Sequence, residues 1–177
     1  MKEIERLKYP IGKFKAPKEY TDELRENFIS EIEETPFYLR QAVENLNEDQ
    51  LNTPYREGGW TVGQVVHHLP DSHMNAYIRC KLVLTENEPV IKTYDQDAWA
   101  KLEDYVTTPV ETSLNLLEAV HTRWVILLKS MLREQFSRKM KHPEFGVVDI
   151  NWLLAQYVWH GKHHIAQINS LKERMGW

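Results

Sequence analysis

The chain has 177 residues, enough to bury one substantial core, and a single domain over residues 1–177 is the simplest organisation. Hydrophobic residues make up 42% and charged residues 27% of the sequence, a balance that excludes a disordered chain. The net charge is −4 with acids and bases interspersed, so no basic face is available for binding a nucleic acid backbone.

The cellular setting follows from what the sequence lacks. Cys80 is the only cysteine, so no internal disulfide can form. No apolar run approaches the roughly 18 residues of a membrane span, and the N-terminal segment has no apolar core of a signal peptide. We therefore expect a cytoplasmic protein that acts on a small-molecule substrate, binds neither membrane nor nucleic acid, and is either a monomer or a homodimer.

The chain begins with an expected arm. Residues 1–19 contain two prolines, a glycine and scattered lysines, and we interpret them as a segment lying over the body of the fold. Thr21 is a good N-cap for a first helix, whose apolar residues keep helical spacing up to Leu46. Pro36 removes one backbone bond inside this pattern and should kink or split the helix.

The second helix carries three histidines. Thr61 starts a capping box with the glutamine three residues later. Helical phase puts His73 near the centre of the buried face, His68 on its flank, and His67 furthest from it. Pro70 cannot complete the backbone ladder and should bend the helix just after the two adjacent histidines.

A long connection separates the second and third helices. Residues 85–107 contain one short helical signature, which predicts an ornamented crossover rather than a tight turn. The third helix should begin with Thr108 as N-cap and Glu111 completing a capping box. His121 falls on its apolar stripe, as a packed or surface-edge residue.

Residues 139–148 predict a loop or a small hairpin, in which His142 should be exposed. The last helix should run from Asp149 to about Arg174. Four helical patterns of about 20 residues each predict an all-α four-helix bundle, with its long crossover between helices 2 and 3.

The last helix carries the strongest chemical signal. His160 and His164 lie one turn apart on its apolar stripe, so both rings can reach one point in space. His163 lies on a different stripe, and we treat it as a bystander. Two core histidines bonded to the backbone are the alternative, but neutral imidazole is the commonest metal ligand, and the pair predicts a metal site.

The third ligand stays open at this point. A catalytic metal site typically takes three protein ligands and leaves a position free for water or substrate. The second helix is the only other helix with a histidine cluster, and helical phase ranks His73 ahead of His68. The two lie about 7.5 Å apart along the helix axis, so only one of them can share the ion with the pair.

Several segments resemble one known family. The sequences W-T-V-G-Q-V-V-H-H-L at 60–69 and Y-V-W-H-G-K-H-H-I-A at 157–166 resemble the DinB/YfiT-like family, and within it the YfiT-type metal-dependent hydrolases of bacilli. The resemblance covers nearly the whole chain, including Y-P-I-G at 9–12, T-P-Y-R-E-G-G-W-T at 53–61 and the R-M-G-W end.

The resemblance implies a four-helix bundle that binds one divalent metal ion per chain, zinc or nickel, through three histidines. The family's first ligand is the histidine immediately before leucine in the second helix, which matches His68. The other two ligands match His160 and His164. Pro70 departs from the small residue expected there and puts the local geometry near His68 in question.

Three neutral imidazoles leave the full charge of the ion to act on water, which suits a metal-dependent hydrolase. The same open position also binds and deprotonates a thiol, so an S-transferase that uses a thiol such as bacillithiol is the alternative. A metal-binding helical protein without catalysis is a third interpretation. No HExxH glutamate accompanies the histidine pair, so the general base and the catalytic residues stay unassigned.

Other polar and aromatic residues are weaker candidates for the site. Asp71 could orient a ligand or water, or could be a solvated surface acid. Three cationic or amide side chains could anchor an anionic substrate, and three aromatic ones could line a pocket; they are Arg56, Arg79 and Asn151, and Tyr55, Trp60 and Trp159.

Overall fold

The computed structural model describes residues 2–177, so Met1, the first residue of the expected arm, lies outside the described residues. The four long helices are α2 (Asp22–Val43), α4 (Val62–Thr85), α7 (Val110–Lys129) and α8 (Ile150–Met175). The short ones are α1 (Lys2–Lys8), α3 (Glu48–Leu51), α5 (Gln96–Trp99), α6 (Asp104–Thr107) and a 3₁₀ helix (Arg133–Ser137). The strands β1 (Lys139–His142) and β2 (Gly146–Asp149) form an antiparallel hairpin. The expected four-helix bundle is confirmed, with the hairpin as a small addition.

The long helices follow the order α2, α7, α4, α8 around the bundle, each packing against two others. Helix α2 therefore lies diagonally opposite α4, and α7 lies diagonally opposite α8. Because these consecutive helices are diagonal, the connections after α2 and after α7 must cross an end of the bundle. The crossover between α4 and α7 carries two short helices, α5 and α6, where the sequence predicted one.

Three of the long helices begin at the caps expected from the sequence. Thr21 Oγ1 accepts a hydrogen bond from the backbone three residues later at 3.1 Å. Thr61 and Gln64 form both bonds of a capping box, at 3.1 and 2.9 Å. Asp149 Oδ1 accepts from the backbone of Trp152 at 2.8 Å. These side chains satisfy N–H groups that a helix start leaves without partners.

The capping box expected at Thr108 is wrong. Helix α7 begins at Val110, and no side chain caps its first turn. The reason is the conformation of Pro109, whose ψ of 137° places it outside the helix. Thr108 is therefore one residue too early to be the N-cap.

Neither interior proline divides its helix. Helix α2 is continuous through Pro36 and α4 is continuous through Pro70. A proline removes one hydrogen bond from the helical ladder, because it has no N–H to give to the carbonyl four residues earlier. In α2 that carbonyl belongs to Ile32, and it accepts a hydrogen bond from His121 of α7 instead. Of the two effects expected of Pro36, a kink or a split of the helix, the split does not occur.

A polar layer divides the core into two apolar clusters. The cluster nearer the hairpin includes Trp124 and Leu153, and the other includes Leu117 and Ile168. Between them, each long helix contributes one polar side chain: Thr35, His73, His121 and His160. The first three are buried and the last is half-buried. Buried polar groups without hydrogen-bond partners destabilise the folded state, so the bundle depends on the hydrogen bonds of this layer for its stability.

The N-terminal segment lies along α8, as expected, although the sequence analysis missed helix α1. The ring of Tyr9 packs against that of His163 at 5.6 Å between centroids. The indole of Trp159 donates a hydrogen bond to the carbonyl of Gly12 at 3.2 Å. Within residues 2–177, no helix is long and apolar enough to cross a membrane.

Gly161 allows α8 to approach α2 closely, because a Cβ at this position would lie 2.8 Å from Cγ2 of Thr35. Overpacking in Gly161→Ala should lower the free energy of unfolding by about 1–3 kcal/mol. The higher helix propensity of alanine should return roughly 1 kcal/mol of this, so we expect the variant to be destabilised on balance. The same change made in a Thr35→Ala protein, which lacks Cγ2, should be neutral or stabilising. Urea denaturation of the four proteins checks this cycle, and equal effects in both backgrounds would contradict it.

Candidate metal centre

Three histidine side chains converge beside the polar layer. His68 of α4 and His160 and His164 of α8 each offer one ring nitrogen, and these three atoms lie within 4.8 Å of one another. The Nε2 atoms of His68 and His160 are 3.2 Å apart. Two nitrogens bound to one tetrahedral zinc ion at about 2.0–2.1 Å would be roughly 3.3 Å apart. The observed spacing therefore fits two ligands of a single ion.

The pair on α8 has the arrangement that its spacing indicated, with the rings of His160 and His164 nearly perpendicular and 4.6 Å apart between centroids. His73, which helical phase ranked first, lies behind the pair. Its Nε2 is 3.1 Å from Nδ1 of His160, the ring nitrogen that faces away from His68. The structure thus brings His68, and not His73, to the converging side of the pair.

A backbone carbonyl determines which nitrogen of His164 carries its proton. The amide Nε2 of Gln167 donates to the carbonyl of Lys8 at 2.9 Å, so the amide oxygen must face the other way. That oxygen lies 2.9 Å from Nδ1 of His164, which is therefore the protonated nitrogen. Nε2 of His164 keeps its lone pair for a cation. Gln167 was missed in the sequence, although its i+3 spacing from His164 was a usable signal.

Burial keeps the three imidazoles neutral. Desolvation lowers the pKa values of His68, His160 and His164 well below 6.5, and neighbouring imidazoles lower them further. A neutral imidazole can bind a metal near pH 7 without first losing a proton. Three neutral nitrogen donors, with the lone pair of at least one assigned by its hydrogen bonds, fit a divalent transition metal.

The histidine cluster borders a cavity of about 380 Å³. The indole of Trp60 lies 4.7 Å from the ring of His68 and stacks nearly parallel to that of His164. Among residues 2–177, Asp97 is the only carboxylate that lines this cavity, and it accepts a hydrogen bond from the Trp60 indole at 3.1 Å. The expected aromatic walls are all present; they are Tyr55, Trp60 and Trp159.

Only one of the three expected anchors lies at this cavity. Arg56 lines it, whereas the other two are committed elsewhere. Arg79 is buried and donates to the hydroxyl of Tyr157 at 3.2 Å. Asn151 is also buried, and it accepts a hydrogen bond from Arg25 at 2.8 Å. Neither can reach a substrate in the cavity without breaking a buried hydrogen bond.

Three other residues differ from expectation. Asp71 accepts a hydrogen bond from the hydroxyl of Tyr105 at 2.6 Å, so it is neither a free surface acid nor a partner of the histidine cluster. His67 was expected to point away from the core, but it is buried, 2.7 Å from the hydroxyl of Ser113. His142 was expected to be exposed, but it too is buried. These expectations were wrong because α6, α7 and the hairpin cover faces that one helix alone would leave open.

The buried histidines should make stability depend on pH. Desolvation lowers the pKa of His121 from 6.5 to about 4, and lowers that of His73 well below 6.5. The unfolded chain therefore binds more protons than the folded one below pH 6.5. The free energy of unfolding should be fully present above pH 6.5 and fall as the pH drops towards 4, by up to about 1.4 kcal/mol per pH unit for each such group. Urea denaturation of metal-free protein between about pH 7.5 and pH 5 measures this, and an unchanged midpoint would contradict it.

Comparison with known proteins gives consistent relatives. A family model described as the DinB superfamily matches residues 31–168. An Oceanobacillus iheyensis protein named "Putative metal-dependent hydrolase" is 52% identical over 170 residues, covering 96% of this chain and 98% of its own. The Bacillus subtilis "Putative metal-dependent hydrolase YfiT" is 49% identical over 172 residues, covering 97% of each chain. A solved structure described as "YfiT from Bacillus subtilis is a probable metal-dependent hydrolase with an unusual four-helix bundle topology" matches with a TM-score of 0.94 and 48% identity, over 97% of this chain and 99% of that one.

Proposed function

This chain belongs to the DinB superfamily, and we propose that it is a metal-dependent hydrolase. The proposal is supported by its close homologues from Oceanobacillus iheyensis and Bacillus subtilis, which are named "Putative metal-dependent hydrolase". Its proposed cofactor is one divalent ion per chain, held by His68, His160 and His164. The observation that carries the proposal is the convergence of their ring nitrogens within 4.8 Å beside a cavity.

The residues around the candidate metal centre have distinct roles in the proposed reaction. A divalent ion held by His68, His160 and His164 would supply a Lewis acid that lowers the pKa of water, so that hydroxide would be available as a nucleophile near neutral pH. Gln167 holds the ring of His164, and Trp60 covers the rings of His68 and His164 on the cavity side. The cavity of about 380 Å³ has the size of a site for a small-molecule substrate.

The donor set is compatible with zinc or nickel, the two ions that the family resemblance implies. Imidazole nitrogens suit zinc, nickel, copper and iron, whereas magnesium and calcium prefer oxygen ligands. The histidine group includes neither a carboxylate nor a thiolate. The single cysteine, Cys80, is buried, and burial raises the pKa of its thiol to about 12.

A thiol S-transferase is the second candidate. An open position on the ion also binds a thiol and removes its proton. Arg56 favours this function, because a thiol cosubstrate such as bacillithiol carries carboxylates that need a cationic anchor. Since Arg79 and Asn151 form buried hydrogen bonds elsewhere, only one of the three expected anchors supports the transferase, and the hydrolase ranks first.

We expect one equivalent of zinc or nickel in wild-type protein after loading and dialysis. His160→Ala and His68→Ala should each lose tight binding, because two imidazoles hold the ion much less firmly than three. His67→Ala is the matched control from the same helix, since its ring bonds Ser113 and not the cluster. Elemental analysis and competition titration measure the result. A full metal content in His160→Ala would contradict the proposed set of ligands.

Metal-loaded protein should hydrolyse at least one member of a panel of esters and amides. Chelation should abolish this hydrolysis, zinc or nickel should restore it, and His160→Ala should stay at background. The same proteins are then given a thiol-reactive electrophile with and without bacillithiol. Conjugation that requires both the thiol and His160, with no hydrolysis anywhere in the panel, would replace the hydrolase by the transferase.

A further inference from the structure

Three histidines link the candidate metal centre to a backbone carbonyl on α2. Nδ1 of His160 lies 3.1 Å from Nε2 of His73. Nδ1 of His73 lies 2.8 Å from Nε2 of His121. Nδ1 of His121 lies 2.5 Å from the carbonyl oxygen of Ile32. The four residues come from α8, α4, α7 and α2, so the chain of hydrogen bonds visits every long helix and passes only between neighbours around the bundle.

The carbonyl of Ile32 fixes the donor and the acceptor in every hydrogen bond that links these histidines. A carbonyl can only accept, so the proton of neutral His121 lies on Nδ1. Its Nε2 then accepts from Nδ1 of His73, and Nε2 of His73 accepts from Nδ1 of His160. Nε2 of His160 is left with its lone pair, and it faces Nε2 of His68 at 3.2 Å. The reverse direction would leave an unprotonated Nδ1 of His121 facing the carbonyl oxygen of Ile32, so that two acceptors would meet with no hydrogen between them.

The anchor of the chain depends on Pro36. In a regular helix, the carbonyl of Ile32 would accept from the N–H of residue 36, four positions later. Proline has no N–H, so this carbonyl is free for another donor. His121, which is buried on α7, takes that place. The hydrogen bond that Pro36 removes from α2 thus leaves the Ile32 carbonyl as the terminal acceptor of the hydrogen bonds that lead to the candidate metal centre.

We propose that His73 and His121 are positioning residues, which hold His160 as the tautomer whose Nε2 faces the metal. The inference rests on the proposed function only in assigning an ion to that nitrogen. The hydrogen-bonded row of His160, His73, His121 and the Ile32 carbonyl contains no carboxylate, unlike the carboxylate–histidine–metal arrangement common in zinc sites. The ion therefore keeps its full positive charge, which favours its action as a Lewis acid.

If the polar layer had only a packing role, it would not require one particular tautomer of His160. The protonation of the ring nitrogens therefore tests the proposal. ¹⁵N NMR separates protonated ring nitrogens from those with a free lone pair. In metal-free wild-type protein, Nδ1 should be protonated in His73, His121 and His160. On addition of zinc, the Nε2 signal of His160 should shift while its Nδ1 stays protonated. A lone pair on Nδ1 of His160, or zinc bound there, would overturn the proposal.

Variants at position 73 add a second readout. His73→Phe keeps ring volume but removes both hydrogen bonds, and it should weaken zinc binding by about 10–100-fold, as changes to the partner of a metal ligand typically do. His73→Gln keeps one donor and one acceptor, and it should recover part of this loss. The matched control is His67→Phe, a buried change on the same helix that leaves the chain intact. Its zinc affinity should stay within a few-fold of wild type.

The outcomes separate this inference from the proposed function. Wild-type affinity in a folded His73→Phe would overturn the positioning role, as would equal losses in His73→Phe and His67→Phe. If His73→Phe does not fold, the tautomers in the wild-type protein still decide. A wild-type protein with the expected tautomers that binds no metal would refute the proposed function and leave the hydrogen-bond direction intact.

Discussion

Two backbone carbonyls control the chemistry of the candidate metal centre. The carbonyl of Ile32 orders the histidine chain that ends at His160, and the carbonyl of Lys8 orients the Gln167 amide that holds His164. Both can accept hydrogen bonds but cannot donate them, so each excludes one of the two neutral tautomers at the far end. Tautomers that side chains alone would leave undetermined are therefore set by the main chain.

The same hydrogen bonds stabilise the bundle. A layer of imidazoles between two apolar clusters would be strongly destabilising if its donors and acceptors lacked partners. Here two buried rings, those of His73 and His121, each bond a neighbour on both sides. Since each bond joins two different long helices, a shift of one helix along its axis would break it. The site and the register of the helices consequently depend on each other.

The N-terminal arm and the close approach of two helices complete the site from outside the histidine layer. The arm supplies the carbonyl of Lys8, and Tyr9 covers His163 beside the cavity. Gly161, next to His160, lets α8 lie against α2 at Thr35. The candidate centre is therefore formed by contacts between segments that are far apart in the chain.

The sequence by itself determined the local features. Spacing put His160 and His164 on one face, and Thr21, Thr61 and Asp149 marked helix starts, because i to i+4 geometry and capping depend on residues within one or two turns. Family resemblance added His68, which helical phase ranked second. Only the tertiary structure placed His73 behind the pair and joined it to His121, and only it buried His67 and His142. These features depend on how far each helix is shifted and rotated against its neighbours, and one-dimensional periodicity carries no information about either quantity.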